Sequence, residues 1–198
     1  YAADSCYRSK LSQRSTWWHK YLPRYRANLR AEHATCTNPH IHITFLTTAQ
    51  CNDYRSQYPI AAERCHILAA SLNATRWPGP NTQALRQATR SMHNVKPTEC
   101  IILAIASSFK TKGLDRIITG LAALPPNYQI NTRLWVVGQD NPAPFLKYAH
   151  KVNLKTEMTF FGGQEHIQAF LAAADLFVHP AYEENAGLVL LEALAYGL

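Results

Sequence analysis

From residue 101 onward, apolar positions come in two alternating patterns, short unbroken runs and runs at helical spacing. Residues 101–106 (Ile-Ile-Leu-Ala-Ile-Ala) form a continuous apolar stretch, the pattern of a strand buried on both faces. Ile117, Ile118, Leu121 and Leu124 recur at helical spacing and predict a helix over 114–124, stopped by Pro125-Pro126. The same reading predicts strands at 134–137, 158–161 and 176–179. It places helices at 143–152, 165–174 and 187–196. Strand and helix in strict alternation mean a parallel sheet with right-handed crossovers.

The first hundred residues are less regular. A helical stretch over 16–34 is interrupted by Pro23, and a strand at 41–47 leads to a short helix opened by Thr48. A strand at 66–69, a Pro- and Gly-containing loop at 73–80 and a helix at 82–93 follow. The expected organisation is a partial N-terminal domain over 1–80 and a partial C-terminal domain over 95–198. The fold class is α/β, with parallel sheets in both.

Composition narrows the picture. The 198 residues are 47% hydrophobic and 17% charged, the balance of an ordinary globular protein. A formal net charge of +7 fits an acidic partner: a phosphate-bearing substrate, an anionic membrane or a nucleic acid. No apolar run approaches the ~18 residues of a membrane span. Five cysteines without a Cys-x-x-Cys pair argue against a zinc site or a disulfide framework. The chain starts at Tyr1, not Met, and stops at Leu198 directly after a helical pattern, so both ends are expected to be cut.

The chemistry concentrates at 180–197. Glu184 and Glu192 stand eight apart, with Gly187 between them and an apolar helical run carrying the second. Ligands of open α/β sheets bind beyond the carboxyl ends of strands, and a helix N-terminus there favours an anion. Gly187 lets a diphosphate approach the backbone, and an ionised Glu192 has two oxygens for a sugar diol. The bland alternative makes Glu192 an exposed helix residue and Glu184 a complement to the helix dipole. Against it, Glu192 is the only charge between Leu188 and Leu198, and a charge in so apolar a helix usually has a partner.

The loop after the first regular strand, 107–113, carries Lys110 and Lys112, which suit a diphosphate. It lacks Walker spacing, and by itself it reads as a solvated loop. Phe161 and Gly162 end a strand where a planar base can lie against backbone; a simple turn is the equal alternative. His179 ends another strand. Further upstream, Arg8, Lys10, Arg14, Lys20, Arg24, Arg26 and Arg30 occur with no acid among them, interleaved with Trp17, Trp18, Tyr21 and Tyr25. Basic side chains with interfacial aromatics favour an anionic membrane surface. Nucleic acid and a plain solvated face are the alternatives.

These residues resemble a known family. The Glu184-to-Glu192 element within His-Pro-Ala-Tyr-x-Glu-x-Ala-Gly-x-Val-Leu-Leu-Glu-Ala is similar to that of retaining glycosyltransferases of family 4, which have the GT-B fold of two Rossmann-like domains. More narrowly, the chain resembles the lipopolysaccharide core glucosyltransferase I group of Gram-negative bacteria. The supporting stretches are 1–7, 112–116, 136–140 and 172–176. The resemblance implies glucose transfer from UDP-glucose, with retention, to a heptose of the inner core. It implies ribose held by Glu192, donor sugar by Glu184, and diphosphate by Lys112 and the backbone at Gly187 and Leu188. Asp4 matches an acceptor-side aspartate that contacts the acceptor or assists proton transfer. No metal and no cofactor beyond the UDP-sugar substrate are implied, and no nucleic acid. The basic aromatic segment falls where the family touches the membrane, implying a cytoplasmic protein peripheral on the inner membrane's cytoplasmic face. Against the family pattern Gly-x-x-Phe-Gly-Arg-Lys-Gly, the chain has Ala106, Lys110 and Thr111 in place of Gly, Gly and Arg. Gln164 replaces the Arg of Phe-Phe-Ser-Gly-Arg. The alternatives are a non-catalytic fragment keeping partial nucleotide or membrane binding, and a family 4 transferase with another donor sugar.

Overall fold

The computed structural model describes residues 5–13, 22–184 and 186–198. Asp4, Arg14, Trp17, Trp18, Lys20 and Tyr21 lie outside them. The chain divides into two compact units, Tyr1–Ser71 and Leu72–Leu198.

In the first unit, helices α1 (Tyr7–Gln13), α2 (Pro23–Thr37) and α3 (Thr48–Gln57) accompany two short strands, β1 (Ile43–Phe45) and β2 (Cys65–Ile67). The strands pair in parallel, Ile43 opposite Cys65. Their core is Cys6, Cys36, Ile43, Phe45, Cys51, Tyr54, Tyr58 and Ile60. Two side chains satisfy helix ends that would otherwise be orphaned. The Glu32 carboxylate of α2 accepts from the α1 backbone at Tyr7 N (2.6 Å) and Arg8 N (3.1 Å), and from the Tyr58 hydroxyl (2.7 Å). Buried Arg64 donates to Cys36 O at 3.1 Å, near the end of α2, and to Ile41 O at 2.9 Å. α3 opens at Thr48 as expected, and the residue before it, Thr47, is the cap, its hydroxyl accepting from Gln50 N at 3.1 Å. α1 was not expected, because its basic sequence has no apolar period. All five cysteines are free thiols, and burial pushes Cys6 and Cys36 up to about 11.

The second unit opens with a 3-10 turn, Ala74–Arg76, and α4 (Thr82–Met92). Strands β3 (Cys100–Ile105), β4 (Thr132–Val137), β5 (Glu157–Phe160) and β6 (Leu176–Phe177) form one parallel sheet in the order β5-β4-β3-β6. Between and after them come α5 (Leu114–Ala122), α6 (Pro126–Ile130), α7 (Ala143–Lys151), α8 (Gln168–Ala173) and α9 (Leu188–Ala195). Alternate residues of β3 serve opposite cores. Ile102 and Ala104 pack with Ile117, Ile118 and Leu121 of α5. Ile101 and Leu103 pack with Trp135, Phe170, Leu171 and Ala193. That two-sided burial is why β3 reads as an unbroken apolar run.

Two expectations change. Pro125-Pro126 does stop α5, but Pro126 then takes the first turn of α6, where its fixed φ suits a helix start. The helix at 82–93, expected in the connector between the domains, belongs to the second unit as α4. Arg86 and Arg90 reach the last carbonyls of α8: Arg86 Nη1 lies 3.1 Å from Ala172 O, and both reach Ala173 O at 3.0 Å. Both also pair with Asp175, which accepts from Ile101 N at 2.7 Å. Burial alone raises the Asp175 carboxyl, but the Ile101 N–H and the two guanidinium groups outweigh it and hold it below its ordinary value.

Candidate functional site

The loops that follow β3 and β6 leave neighbouring strands at the same end of the sheet, since those strands are parallel and paired. Lys112 comes from the first loop and Glu184 from the second. Lys112 Nζ lies 2.9 Å from Glu184 Oε2 and 3.2 Å from Glu183 O. His179, its side chain only 4% exposed, shares a 2.6 Å hydrogen bond with the same Glu184 oxygen. The other oxygen, Oε1, accepts from Gly187 N at 3.1 Å, at the entry to α9. One carboxylate thus joins the lysine, the histidine and the helix N-terminus. Gly187 has φ +58°, a left-handed backbone that glycine adopts without penalty.

The two loops approach each other closely at Gly113. Its φ is +75°, and a Cβ placed there would stand 2.2 Å from Pro180 O. The lysine loop is anchored from the other side by Asp140, which accepts from Phe109 N at 2.8 Å. The only sequence signal for that task of Asp140 was an acid three residues past a strand end.

Glu192 is 3% exposed and forms an ion pair with Arg76 Nη1. The lone charge of α9 therefore does have a partner, and it comes from the 3-10 turn at the start of the unit. Sequence reasoning missed Arg76, because nothing local links it to a residue 116 positions away. Gln168 Nε2 lies 3.5 Å from Thr75 O on the same turn.

The remaining candidates are dispersed. Lys110 is exposed. Leu188, 49% exposed, is the first residue of α9, within the turn whose N–H groups lack intrahelical acceptors. Phe161 packs edge-on against Trp135 (5.1 Å between centroids) and Phe170 (4.8 Å), so its ring belongs to the aromatic core. Gly162 has φ +70° and open space where a Cβ would project. Gln164, in the place of the family's arginine, donates to Phe161 O at 2.8 Å.

In the basic segment, Arg8 turns onto its own unit, with its guanidinium 5.4 Å from the Tyr58 ring centre. Lys10 is half-buried, while Arg24, Arg26 and Arg30 are exposed along α2. Among the described residues no helix is long and apolar enough to cross a membrane. Among them too, no group of three or more His, Cys, Asp or Glu could hold a metal ion.

Comparison with known proteins gives concordant matches. The family model described as glycosyl transferases group 1 matches residues 86–198. Lipopolysaccharide glucosyltransferase WaaG of Escherichia coli strain K12 is 36% identical over 199 residues, covering 100% of this chain and 53% of WaaG. The crystal structure of WaaG, a glycosyltransferase involved in lipopolysaccharide biosynthesis, superposes with a TM-score of 0.92 at 37% identity, over 100% of this chain and 54% of that one. HepE of Anabaena in complex with UDP-glucose superposes with a TM-score of 0.71 at 19% identity, over 90% and 48% of the two chains, a likeness of fold. The chain spans about half the length of WaaG.

Proposed function

The chain belongs to the glycosyl transferases group 1 family, and from that premise we propose that it carries the donor side, with part of the acceptor side, of a retaining transferase. Its architecture is α/β of GT-B type, with both halves incomplete. The reaction is transfer of glucose from UDP-glucose to a heptose of the lipopolysaccharide inner core. The observation that carries this reading is the meeting of Lys112, Glu184 and the Gly187 N–H at one end of a parallel sheet.

In the reading proposed, the diphosphate takes the place that the Glu184 carboxylate now holds against Lys112 and the first turn of α9. Glu184, displaced by a side-chain rotation, turns to the hydroxyls of the sugar. Glu192 receives the ribose diol and shares itself with Arg76. Asp4 serves the acceptor side. The acceptor hydroxyl attacks the anomeric carbon from the face the leaving group departs. The bond to the diphosphate breaks, and a diphosphate oxygen takes the hydroxyl proton. Stabilising that departing charge is the main catalytic demand. With Thr111 and Gln164 in place of two arginines, Lys112 and the helix N-terminus carry most of it, with exposed Lys110 nearby in sequence. The basic aromatic segment holds the protein on the anionic cytoplasmic face of the inner membrane, where the acceptor is presented.

The test is amide hydrogen exchange with and without UDP. Protection is expected in peptides covering 107–113 and 180–192, and Glu192→Ala should abolish it. Unchanged exchange in the wild-type chain at millimolar UDP refutes the reading.

A further inference from the structure

The Glu184 loop is fixed to the Lys112 loop by residues not yet given a role. Tyr182 N donates to Thr111 O at 2.9 Å, and the Tyr182 hydroxyl donates to Asp115 Oδ2 at 2.7 Å. Arg116 places its guanidinium carbon 3.6 Å from the centre of the Tyr182 ring and donates to Pro180 O at 3.1 Å. Asp115 and Arg116 occupy the first turn of α5, directly after Lys112 and Gly113. One aromatic side chain is thus held between an acid and a base, two residues before Glu184.

We propose that Tyr182 is a positioning residue for the donor, gripped by Asp115 and Arg116 so that the sugar-side Glu184 keeps a fixed offset from the diphosphate-side Lys112. The inference rests on the donor-site reading above.

Three features favour positioning over plain stabilisation. Tyr182 is 52% exposed, so its ring removes little apolar surface from water. Its polar contacts all run to the segment that carries Lys112. Asp115 Oδ1 is buried without a hydrogen-bond partner among the described residues, a cost that stability alone does not explain. A carboxylate there does, however, accept the Tyr182 hydroxyl strongly. A shift of about 1 Å between Glu184 and Lys112 is enough to lose a hydrogen bond to a sugar hydroxyl while the diphosphate contacts persist.

The experiment measures the Kd of UDP and of UDP-glucose by titration calorimetry on the whole chain and three variants. Tyr182→Phe keeps the ring under Arg116 and removes the hydroxyl. Asp115→Ala removes the acceptor. Asp115→Asn keeps an oxygen acceptor at the same place. In Tyr182→Phe and Asp115→Ala, UDP affinity should stay within about twofold while UDP-glucose weakens about tenfold, and Asp115→Asn should restore the wild-type ratio. The thermal midpoint of each variant is recorded, and the ratio of the two constants is immune to a uniform loss of folded protein. An unchanged ratio in Tyr182→Phe, or an equal loss for both ligands, overturns the inference and leaves the donor-site reading standing. Failure of the wild-type chain to bind either ligand overturns both.

Discussion

At the scale of single residues, the site is set by a contact between backbones as much as by charged side chains. Gly113 combines a left-handed φ with a carbonyl where its Cβ would be. Gly113→Ala carries a backbone penalty of about 1–2 kcal/mol before the clash with Pro180 O is relieved. The expected result is a thermal midpoint lowered by several degrees and UDP binding weakened at least tenfold. Circular dichroism melting and calorimetry check the two together. Much of this was legible in the sequence. The lone acid in an apolar helix announced that Glu192 has a partner, and Glu184, Lys112 and Gly187 fall together as expected from their loops. The identity of that partner was not legible, because Arg76 is fixed by tertiary packing rather than by a local pattern. Asp140 and Tyr182 were hidden for the same reason.

At the scale of elements, the strands and helices from β3 to α9 could be placed within a few residues, since two-sided burial and helical spacing leave strong marks in an α/β unit. Short pieces were misjudged. β6 shrinks to Leu176–Phe177, and α1 and α6 carry too few apolar positions to show a period. The join between α4 and α8 escaped notice because it depends on arginines capping carbonyls, not on apolar contact. That join makes a pH prediction. The Asp175 carboxyl is held below its ordinary value, so the ion pair contributes its full stability above about pH 4. The contribution is lost as pH falls from 3.8 through the lower folded-state value. Asp175→Asn should therefore be less stable than wild type by about 1–3 kcal/mol at neutral pH, with the gap narrowing in melts as pH falls below 3.8. A gap that is constant down to pH 2 contradicts the assignment.

At the scale of the whole molecule, the formal net charge of +7 is not evenly placed along the sequence, and Arg24, Arg26 and Arg30 are all exposed along α2. Each such residue near an anionic bilayer contributes about 1 kcal/mol. Sedimentation with vesicles should show binding to phosphatidylglycerol-containing membranes and little to neutral ones. Replacing any one of these arginines by alanine should weaken the partition about fivefold, and raising the salt to 0.5 M should largely abolish it. Equal binding to neutral vesicles contradicts an electrostatic attachment.

On the donor-site reading, the carboxylate of Glu184, already seated against Lys112 and the entry of α9, gives the site a selective character. A visiting anion must evict a resident tethered at close range, whose effective concentration is of millimolar order or higher. Inorganic phosphate offers the evicted group nothing in return, whereas a sugar diphosphate brings hydroxyls for it to hold. On that reading the site is guarded against the commonest small anions of a cell.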